Sequence, residues 1–172
     1  MTPLFNKCIE VVLVNEGGFT DHPNDLGNWT GPNRTGELKG TKYGICARYF
    51  PHLDIKNLTL DKARQIYFEK YWQPMGLDGI FYDLSALQIF DFGVNAGKGR
   101  AIRTAQNITG AKADGICGKE TLNKINTYIY NFPESYKRVR ILYYKSIAER
   151  DPKNKVFLKG WISRVENCHF DH

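Results

Sequence analysis

Apolar residues crowd the start of the chain and then stop. They occupy positions 4, 5, 8, 9, 11, 12 and 13, and two consecutive glycines follow at 17 and 18. This spacing is too dense for an alternating strand and is typical of a largely buried helix. We predict a helix over residues 4–16, ended by Gly17 and Gly18 because glycine accepts the left-handed conformation of a helix C-cap.

Glu16 would lie at the last turn of this helix. Both the carbonyl end of a helix and apolar neighbours penalise the charge of a carboxylate there. A carboxyl group in such surroundings can stay protonated and act as a general acid. The alternative is an exposed glutamate at a helix end beside a glycine turn, and spacing alone favours that alternative.

The stretch that follows has no sustained periodicity. Residues 17–45 contain seven glycines, and a structureless segment of this length in a compact domain is usually functional. We predict a long glycine-rich loop after the first helix. It includes a small hairpin, with residues 28–30 and 41–43 as its two strands.

Helical spacing returns in the rest of the chain. Thr59 and Asp83 are predicted helix caps, and Pro133 suits a first helical turn. The pattern as a whole indicates a mostly α protein with at most a small β element. The predicted helices cover residues 59–72, 83–95, 100–108, 119–130, 133–150 and 155–166. For the helix over 133–150, the predicted inner face consists of Tyr136, Val139, Leu142, Tyr143 and Ile147.

Composition and charge narrow the class of protein. The chain is 42% hydrophobic and 24% charged, which is typical of a globular protein, and no apolar run approaches the roughly 20 residues of a membrane span. Only Lys7 precedes a short apolar stretch, so we expect no signal peptide. Residues 1–90 hold nine basic and ten acidic side chains, whereas residues 91–172 hold fifteen and eight. The basic half predicts an anionic partner, although solvated helix faces would give the same count.

The sequence gives little support for a metal or a disulfide framework. One histidine and two carboxylates on a loop (Asp21, His22 and Asp25) are weak evidence for a ligand set, so we predict no metal and no cofactor. The cysteines lie far apart without Cys-x-x-Cys spacing, and synthesis in the cytoplasm favours free thiols. They are Cys8, Cys46, Cys117 and Cys168.

Four stretches carry a family resemblance when they are taken in order. They are Glu16-Gly17-Gly18 with the loop up to Thr41-Lys42-Tyr43-Gly44-Ile45, residues 58–72 with their final Tyr-Trp pair, residues 91–97, and residues 114–122. This order resembles the glycoside hydrolase family 108 N-acetylmuramidases, lysozyme-like endolysins of phages and prophages. The resemblance covers residues 4–166 and implies a mostly α, lysozyme-like α+β fold. It implies a catalytic region over 1–92 and a peptidoglycan-binding helical region over 93–168, which we expect to pack as one globular unit.

Glycoside hydrolysis needs an acid and a second group that handles the oxocarbenium-like centre or the attacking water. The resemblance assigns the acid to Glu16. Asp25 resembles the aspartate of other phage lysozymes, although a turn aspartate that bonds its own backbone fits equally well, and Asp21 competes with it. Thr41 matches the threonine of the family's turn and would position a water. Thr30 is the alternative, because it keeps the Asp-to-Thr spacing of the other phage lysozymes.

Substrate contacts are predicted from ring chemistry and from helix geometry. Trp29 and Tyr43 lie in the loop and are predicted to stack on sugar rings. Asp91 and Asn95 share a helix face, and the resemblance implies that their helix lines the cleft. We predict that both bind substrate, with a helix C-cap just before Gly97 as the alternative for Asn95. Trp72 and Trp161 occur at helical spacing and are predicted to be core residues.

The resemblance therefore implies a peptidoglycan hydrolase. It would cut the β-1,4 bond between N-acetylmuramic acid and N-acetylglucosamine and lyse the cell wall. The alternative is a non-catalytic peptidoglycan-binding protein. We expect a monomer with peptidoglycan as its partner, no membrane insertion, and no nucleic acid, since no nucleic-acid-binding motif is recognisable. Without a signal peptide, it would be made in the host cytoplasm and reach the periplasmic wall through a separate membrane pore.

Overall fold

The structure, a computed structural model, describes residues 1–170. Within that range the chain forms seven α-helices and one two-stranded antiparallel sheet. This architecture confirms the predicted class, mostly α with a small β element. The elements are α1 (Pro3–Val14), β1 (Thr41–Lys42), β2 (Ile45–Cys46), α2 (Leu60–Tyr67), α3 (Asp83–Ala96), α4 (Lys98–Thr109), α5 (Lys119–Asn126), α6 (Phe132–Arg150) and α7 (Lys155–Glu166).

Contacts group the chain into two compact units. Residues 12–68 form one, which we call the loop unit, and residues 1–11 with 69–170 form the other, the helical unit. This grouping follows spatial contacts, whereas the sequence-based division at residues 92 and 93 follows a family resemblance. The predicted domain division stays a prediction.

The core of the helical unit is built around α3. This helix is buried from Ser85 to Gly93, with apolar residues on most of its surface and a polar stripe through Ser85, Gln88 and Asp91. Phe90 packs edge-on against Trp72 and Phe5, with ring centroids 5.1 and 5.9 Å away. The prediction that Trp72 belongs to the core is confirmed, since it is fully buried, while Trp161 is half-buried and stacks on Tyr144.

The predicted inner face of the helix over 133–150 is right at Tyr136 and wrong at Val139 and Leu142. Val139 and Leu142 are 37% and 63% exposed, and the buried stripe instead repeats every four residues through Tyr136, Arg140 and Tyr144. The prediction failed because it excluded charged side chains, whereas the guanidinium of Arg140 is fully buried against a carboxylate of α3.

Two predicted helix starts have different outcomes. Thr59 caps α2, because its hydroxyl accepts a hydrogen bond from Lys62 N at 3.2 Å. The prediction for Asp83 is wrong: it is the first residue of α3, and no side-chain hydrogen bond caps this helix. Its carboxylate accepts a hydrogen bond from Lys7 Nζ at 2.7 Å instead.

The segment predicted as one helix over 59–72 changes geometry part of the way along. It is α-helical only as far as Tyr67 and continues as a π-helical turn, Phe68–Trp72. The first helix is also shorter than predicted, since α1 ends at Val14. The remaining boundaries lie close to the predicted ones, except that α5 ends at Asn126.

The hairpin of the loop unit pairs different strands from those predicted. Thr41 pairs with Cys46, and Lys42 pairs with Ile45. The two-residue turn between them consists of Tyr43 and Gly44, whose φ angles of 51° and 72° are both positive, as a type I′ hairpin turn requires. Residues 28–30 do not form a strand of this sheet; Trp29 makes an isolated bridge with Leu38. The long loop folds back on itself before it reaches the hairpin.

Candidate functional site

Glu16 lies just beyond the end of α1. The helix stops at Val14, and Glu16 N still donates a hydrogen bond to Leu13 O at 3.1 Å. The side chain is half-buried, so the exposed-glutamate alternative does not describe it. The glutamate therefore belongs to the start of the loop while its backbone remains tied to the helix end.

The carboxylate of Glu16 lies against the hairpin turn. A Cβ atom built on Gly44 would fall within 3.0 Å of both Glu16 Oε2 and the hydroxyl of Tyr67. Only a residue without a side chain leaves room for these two groups to lie side by side over the turn. There is a second reason for glycine at this position: the φ of Gly44, 72°, is in the left-handed region.

Tyr67 holds the hairpin turn in place through a hydrogen bond. Its ring is 1% exposed, and its hydroxyl donates a hydrogen bond to Tyr43 O at 2.9 Å. Tyr43 N in turn donates to Gly17 O at 3.1 Å. The hairpin turn is therefore bonded both to Tyr67 and to the backbone of Gly17, the residue that follows Glu16. Nothing in the sequence indicates that Tyr67 belongs to this site, because its partner in the turn is 24 residues earlier in the chain.

Thr41 is bound to a second anchor that the sequence did not reveal. Its hydroxyl donates to Asn28 Oδ1 at 2.7 Å, and Asn28 Nδ2 donates to His22 O at 3.1 Å. The Asn28 carbonyl accepts from Lys39 N and Gly40 N. Asn28 is completely buried, so it acts as the polar core of the loop. Nothing in the sequence distinguishes it from other loop asparagines.

Asp25 occupies a turn. Its Oδ1 accepts a hydrogen bond from Gly27 N at 2.8 Å, which is the backbone-bonding geometry of a turn aspartate. This turn is bonded to the segment that follows β2, since Arg48 N donates to Gly27 O at 3.0 Å. Asp25 is exposed, as is its competitor Asp21. Thr30 lies elsewhere in the loop, where its hydroxyl accepts from Glu37 N at 2.8 Å.

The predicted stacking residues lie in the same unit. Trp29 is half-buried, and its Nε1 donates to Pro23 O at 2.9 Å. Tyr43 is half-buried in the hairpin turn, with Lys42 Nζ 5.3 Å from the centre of its ring. A cleft of about 490 Å³ also opens in this unit, between Phe19, Leu38 and residues 52–56. Glu16, Asp25, Thr41, Trp29 and Tyr43 thus all lie in the loop unit, where Tyr43 N is bonded to Gly17 O and the Thr41 hydroxyl to Asn28.

Asp91 and Asn95 belong to the helical unit and have partners there. Asp91 is 1% exposed, and its two carboxylate oxygens pair with Arg140 and with Arg164, the latter at 2.8 Å. Asn95 is exposed, and its Oδ1 accepts a hydrogen bond from the Tyr144 hydroxyl. The C-cap of α3 is Gly97. The structure gives Asp91 a core ion pair, and the substrate-binding role of both residues stays a prediction.

Metal and membrane features are absent from the described part of the chain. Among residues 1–170, no three His, Cys, Asp or Glu side chains lie close enough together to hold a metal ion. No helix in the same range is both long and apolar enough to cross a bilayer. The four thiols are free there.

Comparison with known proteins identifies similar sequences for both halves of the chain. The family described as glycosyl hydrolase 108 matches residues 9–97, and the predicted peptidoglycan domain family matches residues 100–166. The solved structure of Brucella abortus SagA is 27% identical, covers 95% of this chain and 90% of its own, and superposes with a TM-score of 0.73. No curated protein matches the chain. Together these matches support a hydrolase that acts on peptidoglycan.

Proposed function

Because the chain belongs to the glycosyl hydrolase 108 family, we propose that it is an N-acetylmuramidase. It hydrolyses the β-1,4 bond between N-acetylmuramic acid and N-acetylglucosamine, with Glu16 as the general acid. The observation that carries the proposal is the position of Glu16: the residue is half-buried, and its carboxylate lies beside the Tyr67 hydroxyl against the Gly44 turn. A carboxyl group confined in this way has a fixed direction in which to deliver a proton.

Glu16 would protonate the glycosidic oxygen as the bond to the departing sugar breaks. The oxocarbenium-like centre that remains then has to be met by a carboxylate or by water. Asp25 is the proposed second carboxylate, and Asp21 remains its competitor. Thr41 is the proposed residue for positioning a water. Since its hydroxyl hydrogen is donated to Asn28, Thr41 would have to bind that water through its oxygen lone pairs.

The test is the identity of the ends released from purified cell wall. New reducing N-acetylmuramic acid is the expected product, whereas free amino groups would mean an amidase or a peptidase. Glu16→Gln keeps the shape of the side chain and removes the acid, so we expect a loss of about 100-fold or more in rate. Glu37→Gln is the matched control, since this exposed loop carboxylate pairs with Lys39 at the surface. Equal rates for the two variants would remove Glu16 from the mechanism.

A second candidate is a peptidoglycan-binding protein without catalysis. It is favoured by the match of residues 100–166 to the predicted peptidoglycan domain and by the basic character of that half. Sedimentation with insoluble wall separates the two, because a muramidase both binds and dissolves the wall. Binding by the wild-type chain without any soluble product would favour this second candidate.

The biological setting is also a proposal. We propose that the chain is a monomeric endolysin of phage or prophage origin, made in the host cytoplasm and released to the wall through a membrane pore. Expression in a bacterial host tests this directly. Lysis is expected only when a pore-forming protein is co-expressed, and lysis by the chain alone would contradict it.

A further inference from the structure

A turn in the helical unit presents two adjacent aromatic side chains to solvent. Phe81 is 84% exposed and Tyr82 is 61% exposed, although rings of this size are more often buried. The backbone of the turn is fixed by a side chain from α5: Asn126 Nδ2 donates to Gly79 O at 2.8 Å, and its Oδ1 accepts from Phe81 N at 2.9 Å. The exposure of the two rings is therefore built into a cross-linked turn.

A second aromatic segment lies opposite this turn. Tyr130 is 69% exposed, and the Tyr128 ring contacts the rings of Tyr130 and Phe132 edge-on, with centroids 5.5 and 6.1 Å apart. The segment ends at Asn131, which caps α6 by accepting from Glu134 N at 3.3 Å. Its geometry is fixed by the start of that helix.

The two segments enclose a hollow of about 320 Å³, at the small end of the range for ligand pockets. Aromatic rings, two asparagines, a serine, an isoleucine and a proline line it, and none of these lining side chains is charged. Such a lining suits a ring-shaped, uncharged ligand with apolar faces and polar edges, since rings stack on the faces while amide and hydroxyl groups bond the edges.

We propose that this hollow binds an N-acetylglucosamine unit of the peptidoglycan glycan strand. The inference rests on the proposed function, because it takes the polymer that is hydrolysed as the source of the ligand. N-acetylglucosamine is the uncharged sugar of that polymer, whereas N-acetylmuramic acid carries a lactyl group that ends in a carboxylate or a peptide. The uncharged lining therefore selects one of the two alternating sugars.

Two further hollows also have Tyr82 in their lining, and both contain charged side chains. Glu134, Glu166 and Lys137 line one, and Lys7 lines the other with Asp83, its ion-pair partner. The lining without charged side chains therefore distinguishes the aromatic hollow from both neighbours.

The test uses tri-N-acetylchitotriose, an uncharged trimer of N-acetylglucosamine, and the full chain labelled with ¹⁵N. We expect amide shifts at residues 79–82 and 125–133 on titration. Phe81→Ala and Tyr130→Ala should each raise the Kd of chitotriose, as measured from these shifts, about fivefold or more. This is the loss of affinity expected when a stacking ring is removed. Both side chains are exposed, so the fold should survive. Leu142→Ala removes an exposed apolar side chain elsewhere in the same unit, and it should leave the Kd unchanged.

Three outcomes would overturn the inference. The first is chitotriose titration without shifts in these segments, and the second is a Kd that Phe81→Ala and Tyr130→Ala do not change. The third is saturation of the hollow by a stem tripeptide or by self-association in place of the sugar. Wall hydrolysis is measured in parallel on the same samples. Normal release of reducing muramic acid with no shifts in the hollow refutes this site alone, whereas absent hydrolysis refutes the proposed function.

Discussion

The interactions that stabilise the helical unit internally differ from those that stabilise the loop unit internally. In the helical unit, α3 is buried from Ser85 to Gly93 and packs against aromatic rings on several sides. In the loop unit, the segment 15–39 buries only one side chain, that of Asn28. The helical unit relies on apolar burial around one ion cluster. In the loop unit, hydrogen bonds hold the segment 15–39, whereas apolar side chains such as Ile45, Ile55 and Tyr67 are buried in the rest of the unit.

This difference assigns different tasks to the two units. Apolar packing resists local change, because removing buried volume costs free energy across a whole core. A loop held by a few polar contacts can place a carboxylate beside a glycine turn, where a packed core would exclude it. We therefore expect mutations in the helical unit to change stability and mutations in the loop unit to change activity. The predictions below test that contrast.

The largest effect is expected at the buried ion cluster of the helical unit. Asp91→Asn removes the charge that faces Arg140 and Arg164, so it should lower the free energy of unfolding by about 3–5 kcal/mol, as uncompensated buried charges do. Asp83→Asn is the matched control, because Asp83 pairs with Lys7 at the surface and should cost about 0–1 kcal/mol. Denaturant unfolding measures both. Similar losses for the two variants would show that burial of the cluster does not matter.

The next effect is expected at the hairpin turn. Gly44→Ala places a Cβ against Glu16 Oε2 and the Tyr67 hydroxyl, and a displacement of about 1 Å in a reacting group can reduce the rate by about 100-fold. Gly110→Ala is the control: its φ of 69° matches that of Gly44, and nothing lies within 4 Å of the added atom. Each variant carries a backbone strain of about 1 kcal/mol. Wall hydrolysis should fall only in Gly44→Ala, and equal rates would exclude a close packing role for Gly44.

The two units also differ in how well the sequence predicts them. Most helices of the helical unit were predicted to within two residues, as in α7 over 155–166 and α3 from 83, although α5 ends four residues earlier than predicted. Apolar periodicity predicts such helices because it reflects which face is buried. The face of α6 was mispredicted where an ion pair replaces apolar burial at Arg140. Charged side chains that are buried as an ion pair do not appear in the spacing of apolar residues, so this spacing cannot predict the face that they occupy.

The loop unit shows the opposite balance. Its chemistry is a prediction that rests on the family resemblance at Glu16 and the glycine turn, and its geometry could not be predicted. The hairpin pairs residues 41–42 with 45–46. Asn28 Oδ1 accepts a hydrogen bond from the Thr41 hydroxyl, 13 residues later, and the Tyr67 hydroxyl donates to Tyr43 O, 24 residues earlier. Such contacts depend on which segments of the chain the fold brings together. Neither secondary-structure propensity nor the spacing of apolar residues predicts this.

A moderate effect is expected from the polar core of the loop. Asn28→Ala removes the hydrogen bonds to His22 O and from Thr41, which should destabilise the loop by about 1–3 kcal/mol. The helical unit should be unaffected, so we expect faster proteolysis within residues 17–40 and lower activity with little change in the main unfolding transition. Asn57→Ala is the control, since its amide bonds exposed Asp54 in the same unit. Cleavage at unchanged rates in Asn28→Ala would contradict this role.

The smallest effect concerns a thiol of the helical unit and is measured on the unsubstituted chain. Burial raises the pKa of Cys117 from 9.0 to about 11. A thiol reacts as the thiolate, and a raised pKa keeps the neutral form dominant until the pH reaches that value. The rate of iodoacetamide labelling at Cys117 should therefore keep rising with pH up to about 11 in the native chain. In urea, where the surroundings are lost, the same rate should level off near pH 9.0. A native plateau near that lower pH would mean that the turn before α5 opens to solvent, and that the helical unit is less tightly packed there than its core.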